Sequence, residues 1–196
     1  VPLDSYRAFI DESSAVRSST RQEYLIGAGF IPFEACDEIR EQLRCLALPG
    51  QVKLHWTDES EPHRRNIVER ISALAPMTRV VTHRSERVKK NERCRRNCLE
   101  ALYHDMAGME VFDLLLEDRS PSQNSRDGER IVALQGQGLD SRVRIAHRRG
   151  GDEPLLWIAD VLLGAINAAA LGQPAHLETL QETVVLRRRT VDSLES

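Results

Sequence analysis

The chain has 196 residues, 41% hydrophobic and 29% charged, with a formal net charge of -3. These values suit one soluble domain with its own core and exclude disordered, fibrous and disulfide-scaffold classes. With 27 basic against 30 acidic residues, it is not a globally basic nucleic-acid binder, and any such role needs a local patch.

In chain order, Tyr6–Glu12 (YRAFIDE) reads as a short strand ending in polar residues, and Ser13–Arg21 as a serine-rich turn. Glu23–Pro32 reads as a second strand, forming a hairpin with the first. Cys36, Ile39, Leu43 and Leu46 recur at helical spacing until Pro49-Gly50. Val52–Trp56 is a candidate brief strand. Ile67, Val68, Ile71, Leu74 and Ala75 outline a second helix, stopped by Pro76, and Thr78–Thr82 is a β-branched strand. Cys94, Cys98, Ala101, Leu102, Met106 and Met109 mark a third helix.

Val111–Leu116 is apolar enough for a central strand buried on both faces. A polar loop is expected over Glu117–Asp127, then a helix from Asp127 to about Gln135 and a short strand at Arg142–His147. Pro154–Leu171 reads as a buried helix, because Asp160 and Asn167 interrupt it and it is short for a membrane span. The segment Val184–Arg189 fits helix or strand equally. Strands alternating with helices after an opening hairpin predict an α/β fold: a mixed sheet flanked by helices. A single domain over 1–196 is expected, with a C-terminal extension from about residue 173.

The four cysteines, Cys36, Cys45, Cys94 and Cys98, form no Cys-x-x-Cys and no zinc-ligand spacing with histidine. Reduced thiols and a cytoplasmic location are expected, with Cys94 and Cys98 as small core residues. His63, His83, His104 and His176 lack ligand spacing. No P-loop, Gly-x-Gly-x-x-Gly, Gly-x-Ser-x-Gly or His-Glu-x-x-His occurs, which argues against nucleotide-cofactor, serine-hydrolase and zinc-protease chemistry.

Three acidic positions stand out. Asp11 closes the first strand, where alternation puts Arg7, Phe9 and Asp11 on one side and Ala8, Ile10 and Glu12 on the other. Asp11 and Glu12 therefore cannot share a pocket. Glu117 emerges where the buried strand ends, the place where open α/β sheets collect ligands. Asp160 sits among apolar helix neighbours, and an ionised carboxylate there needs a partner or a cation. Each also has a plain structural reading: a polar strand end, a solvated loop start, and a hydrogen-bonded or ion-paired structural aspartate. Periodicity alone does not bring the three together.

The segments FIDESS (Phe9–Ser14), LLLEDR (Leu114–Arg119) and LLWIADVLLGA (Leu155–Ala165) resemble, in order and spread, the bacterial family called domain of unknown function 3800. That resemblance implies a ribonuclease-H-like domain and divalent-metal phosphodiester chemistry. The matching positions are Asp11, Glu117 and Asp160 as ligands of Mg²⁺ or Mn²⁺. Glu12 and Ser13 complete the first motif, Arg119 matches the second, and Asp127 matches a downstream acid. His55, in KLHW, resembles a histidine that follows the first helix. Ser14 stands where the family has glycine, which puts the loop geometry in question.

The resulting expectation is a metal-dependent nuclease. Asp11, Glu117 and Asp160 would hold the ions, Arg119 or a basic-cluster residue would position a phosphate, and His55 would assist proton transfer. Nucleic acid, RNA or DNA, is the expected partner. The basic run Arg84–Arg96 and the cluster Arg142–Arg149 are candidate phosphate contacts, or else solvated surfaces. The rival expectation is a non-catalytic ribonuclease-H-like module that binds nucleic acid or protein.

Overall fold

The computed structural model describes residues 5–87 and 91–195. Six strands form one mixed sheet: β1 (Tyr6–Val16), β2 (Arg21–Pro32), β3 (Met77–Glu86), β4 (Asp113–Glu117), β5 (Arg144–Arg148) and β6 (Val184–Arg189). Their spatial order is β5-β4-β1-β2-β3-β6. The first three are antiparallel neighbours, while β4 joins β1, β5 joins β4 and β6 joins β3 in parallel. The helices are α1 (Cys36–Arg44), α2 (Glu61–Leu74), α3 (Glu92–Gly108), α4 (Pro121–Gln135), α5 (Trp157–Ala170) and α6 (Ala175–Leu180). The expected α/β architecture, a mixed sheet flanked by helices, is the one that forms.

Strand alternation divides the core. Ala8, Ile10, Leu114 and Leu116 pack with Leu99, Leu102 and Met106 of α3 and Ile131 and Leu134 of α4. Phe9 and Leu115 face the other way, onto Trp157, Ile158 and Val161 of α5 and Ile67 and Ile71 of α2. Parallel pairing sets Phe9 opposite Leu115 and Ile10 opposite Leu116. Continued by one step, that register brings Asp11 beside Glu117 on the α5 face, with Glu12 on the α3–α4 face.

Several elements depart from the sequence expectation. β1 runs on to Val16, because Ser13 and Ser14 pair with Leu25 and Tyr24 across the hairpin, and ladder bonds override the turn preference of serine. Ser14 therefore lies in regular strand. Among the described residues the only non-glycine positive φ angles are at Ala75 and Glu110, so the missing glycine strains nothing. The segment 52–56 forms no strand, since its polar groups are turned to side-chain partners described below. α4 begins at Pro121 instead of Asp127, started by a capping box between Ser120 and Gln123 with proline in the first turn. The region after residue 172 supplies α6 and the edge strand β6.

Asp127, expected near a loop, is instead the heart of a buried charge network. Arg95 on α3 and Asp127 on α4 are each only 4% exposed and bond through both guanidinium termini at 2.6 and 2.9 Å. Arg95 Nε also donates to Glu12 at 2.7 Å, and His147 of β5 lies 3.1 Å from Asp127. Burial opposes the Asp127 anion, but His147 and Arg95 outweigh it and hold its pKa below the usual carboxylate range. The network ties β1, α3, α4 and β5 together beside the middle of β1.

Removing Arg95 leaves Asp127 buried without its arginine, and the half-buried Glu12 with Arg119 alone. Arg95→Met is therefore expected to destabilise the fold by about 3–5 kcal/mol in urea unfolding. A loss under about 1 kcal/mol, the range of exposed pairs, would mean that the network contributes no more than a surface contact. Because the pKa of Asp127 is depressed, its contribution is present above its unfolded value near 3.9 and is lost as pH falls through the folded one.

Candidate active site

A cavity of about 470 Å³ opens where β4 ends beside the middle of β1, against α5, lined by Asp11, Glu12, Lys53, His55, Glu117 and Asp160 among others. Asp11 and Glu117 enter it from neighbouring parallel strands. Asp160 enters from α5, one turn before Gly164 and two before Asn167, and all three line the same wall. The helix stripe that looked wholly apolar in sequence thus borders a solvent-filled space, and the Asp160 side chain is 12% exposed to it.

Each carboxylate is held differently. Asp160 accepts a hydrogen bond from the Trp56 backbone N–H at 2.8 Å, and His55 Nδ1 lies 3.3 Å from its other oxygen. Glu117 bonds to the Lys53 ammonium. Asp11 is 8% exposed, and among the described residues its carboxylate accepts only the Glu12 backbone N–H, at 2.7 Å. Burial first, then the charges of Glu117 and Asp160, push the Asp11 carboxyl well above the usual carboxylate range. Burial works against the Lys53 cation, yet the Glu117 hydrogen bond and the charges of Glu117, Asp11 and Asp160 prevail and raise its pKa.

The segment that carries Lys53, His55 and Trp56 is fixed by close packing. At Gly164 a Cβ would collide with the Trp56 indole, so only glycine lets the ring lie on α5 beside Asp160. Arg64 stacks 5.1 Å from the centre of that indole and donates to the Trp56 carbonyl at 2.9 Å, and His176 of α6 meets its edge. At Gly150, in the loop after β5, a Cβ would stand 2.6 Å from Glu117 Oε1 and 2.7 Å from Lys53 Cε. Two bare backbone positions thus make room for the contacts that arm the cavity.

The structure brings Asp11, Glu117, Asp160 and His55 into one cavity, which Arg119 does not line. Arg119 is paired with Glu12 at 3.1 Å and lines the adjoining cleft, which Asp11 and Glu117 also line. Its side chain follows Glu12 to the α3–α4 side of β1. Lys53 and the Trp56 N–H were not singled out in sequence; Lys53 lies two residues before His55 in the same KLHW segment. Among the described residues, no three His, Cys, Asp or Glu side chains stand grouped so that they could hold a metal ion, and the carboxylates share an open cavity with Lys53 among them.

Because Asp11 titrates higher in the fold than in the unfolded chain, its anion is the disfavoured form. Stability from this residue is complete at acid pH and declines as pH rises through the raised pKa. Asp11→Asn keeps an oxygen for the Glu12 N–H and abolishes that decline. In chelator near neutral pH it should raise Tm, by about 2–4 °C for each kcal/mol relieved. An unchanged or lower Tm would show that the Asp11 charge is already compensated. Gly164→Ala should destabilise by about 1–3 kcal/mol through overpacking against Trp56 and red-shift tryptophan emission; wild-type melting and emission would sink the packing argument.

No family model matches the chain, and no curated protein matches it. Among solved structures, it is similar to a chain of the PCNA:RNase HII complex from Archaeoglobus fulgidus, with 21% identity and a TM-score of 0.40 over 90% of this chain and 76% of that one. It is also similar to a mutant of Bst-RNase HIII, with 9% identity and a TM-score of 0.39 over 88% of this chain and 53% of that one. The chain thus spans about half the length of that second protein.

Proposed function

We propose that this protein is a divalent-metal-dependent phosphodiester hydrolase acting on nucleic acid, with Asp11, Glu117 and Asp160 as the Mg²⁺ or Mn²⁺ ligands. The observation that carries the reading is the charge balance of the cavity. Four carboxylates, Asp11, Glu12, Glu117 and Asp160, line it against two cations, Lys53 and Arg64, and the most buried of the four, Asp11, has no cation bonded to it among the described residues. An oxygen-only, anionic donor set of this kind suits a hard divalent ion that retains several waters. Such an ion, when bound, would lower the pKa of an attacking water and stabilise the leaving oxygen.

The chain's own residues have separable tasks. The Trp56 N–H fixes one Asp160 oxygen and so the orientation of that carboxylate. His55 is about half exposed, and with Nδ1 turned to Asp160 its Nε2 is the ring nitrogen left to hand a proton to a departing oxygen. Lys53, released from Glu117, is a cation of the right reach for a phosphate oxygen. Nothing among these residues distinguishes RNA from DNA.

A second reading, a binding module without turnover, draws on the Lys53–Glu117 bond, because that ammonium already supplies one positive charge to the cluster. The two readings part on metal. Under the hydrolase reading, Mn²⁺ raises Tm and supports cleavage in a panel of RNA, DNA and hybrid substrates. Asp160→Asn keeps the circular-dichroism spectrum, abolishes the Tm response and lowers turnover at least about a hundredfold, the loss that even outer-shell ligand changes bring. Cleavage that persists in chelator, or in Asp160→Asn, overturns it. No Tm response to Mn²⁺, with partner affinity unchanged by chelator, would favour the binding module.

A further inference from the structure

On the opposite face of β1 lies a second cavity, of about 380 Å³, between α3 and α4. Arg93 and Arg96, three apart on α3, and Arg126 and Arg130, four apart on α4, line it with Arg95 behind them. Residues at these spacings share a helix face, so two arginine-bearing faces look into one space. Five arginines stand against Glu92 and Asp127 in the lining, Arg96 and Arg130 also pair with Glu100, and Arg95 pairs with Glu12, so the charge left over is carried by Arg93 and Arg126. The Arg95–Asp127 pair is internally compensated. Arg93 and Arg126 are exposed and form no carboxylate ion pair among the described residues.

A second feature points to a ligand. Tyr103 also lines this cavity; it is fully buried, and its hydroxyl has no hydrogen-bond partner among the described residues. Buried hydroxyls without partners are costly, and an oxyanion that accepts from one removes that cost. The Arg130 Nε is likewise buried without a hydrogen-bond acceptor.

The cavity also adjoins the acidic one. A cleft of about 210 Å³ at the end of β4, beside the middle of β1, shares Asp11, Glu12 and Glu117 as walls with the carboxylate cavity, and Arg95 and Leu99 with the arginine cavity. We propose that the α3–α4 arginine cavity binds a backbone phosphate of the same nucleic-acid strand whose neighbouring phosphodiester lies at the carboxylates. The assignment of the strand rests on the hydrolase reading above, whereas the phosphate chemistry of the cavity stands on its own residues. The row of adjoining cavities favours a strand over a free anion, since a lone phosphate needs no neighbouring site. Of the basic run Arg84–Arg96, this assigns Arg93, while Arg96 is paired with Glu100. Arg84 is bonded to Glu23, Arg95 serves the buried network, and Lys89 and Lys90 lie outside the described residues.

The test is fluorescence anisotropy of full-length protein in chelator, with labelled single-stranded RNA, duplex DNA and an RNA–DNA hybrid as probes over a range of KCl. Replacing Arg93 and Arg126 together by glutamine alters only exposed side chains. It should weaken the tightest-bound probe about tenfold at low salt and flatten the slope of log affinity against log salt by about 1, the unit that one lost phosphate contact removes. Unchanged affinity and slope overturn the proposal. Inorganic phosphate is titrated alone by thermal shift: a phosphate-specific Tm rise abolished by the double variant, with probe binding unaffected, would assign the cavity to a small anion and overturn the strand. The chelator separates the two readings. Lost binding in the variant together with wild-type protein that never cleaves leaves the phosphate site standing and removes the hydrolase, whereas wild-type binding in the variant together with metal-dependent cleavage does the reverse.

Discussion

The two-residue period of β1 governs the charge layout of this molecule. Asp11 and Glu12 are adjacent acids on a central strand, and the pleat sends them to opposite faces of the sheet. Asp11 enters a cavity where the other charges are mostly negative, and its pKa rises. Glu12 enters a network that holds Arg95 and Arg119. A slip of one residue would exchange the two environments and put Phe9 where Ala8 packs, so the hydrophobic alternation that buries the strand also fixes which acid is left in need of a cation. The Arg7–Asp113 pair, at 2.6 Å between aligned positions on β1 and β4, pins the same register at the other end.

A helix must then come close enough to complete the cavity from above, and small residues allow that approach. On β2 the Cβ that Gly27 lacks would stand 3.1 Å from Leu163 Cγ, and the one that Gly29 lacks would stand 2.9 Å from Ile158, so α5 sits directly on the backbone of the strand. Gly164 admits Trp56, whose N–H orients Asp160. The stabilising part of this layer is apolar: Trp157, Ile158 and Val161 are all nearly or fully buried. Asp160 is carried into place by packing to which it contributes little, which is how a fold can hold an electrostatically unfavourable group within about the 5–15 kcal/mol of a typical domain's net stability.

The sequence exposed the parts of this design that lie in single residues or single periods. The alternation around Asp11, the apolar run that ends at Glu117 and the cost of an acid at Asp160 were each legible one residue at a time. Cys94 and Cys98 were legible in the same way and are buried in the core. What could not be read depends on pairs. Lys53 looked like any lysine until the loop after β5 brought Gly150 against it, and the Trp56 N–H is a backbone donor that every residue type except proline possesses. Residues 184–189 became a strand only because β3 offered an unpaired edge. Asp127 was noted as a motif acid, but its partners lie 32 and 20 residues away on α3 and β5. The start of α4 is a different case, since Ser120-Pro121-Ser122-Gln123 is a readable start signal that polar composition had disguised as loop.

The formal charge of -3 averages over this arrangement and conceals it. At the end of β4, beside the middle of β1, the carboxylates on one face of the sheet stand against the unpaired Arg93 and Arg126 of the α3–α4 cavity on the other. A low-dielectric core between them screens each from the other far less than water would. The arginine side is stabilised by the neighbouring anions, and the carboxylate side is relieved only partly by Lys53. A polarised pair of cavities joined by a cleft favours a ligand that is anionic along its length and can bring a cation to one end. A polyanionic strand with its bound divalent ions meets both requirements at once, whereas a protein segment would have to supply acidic and basic groups in matching order.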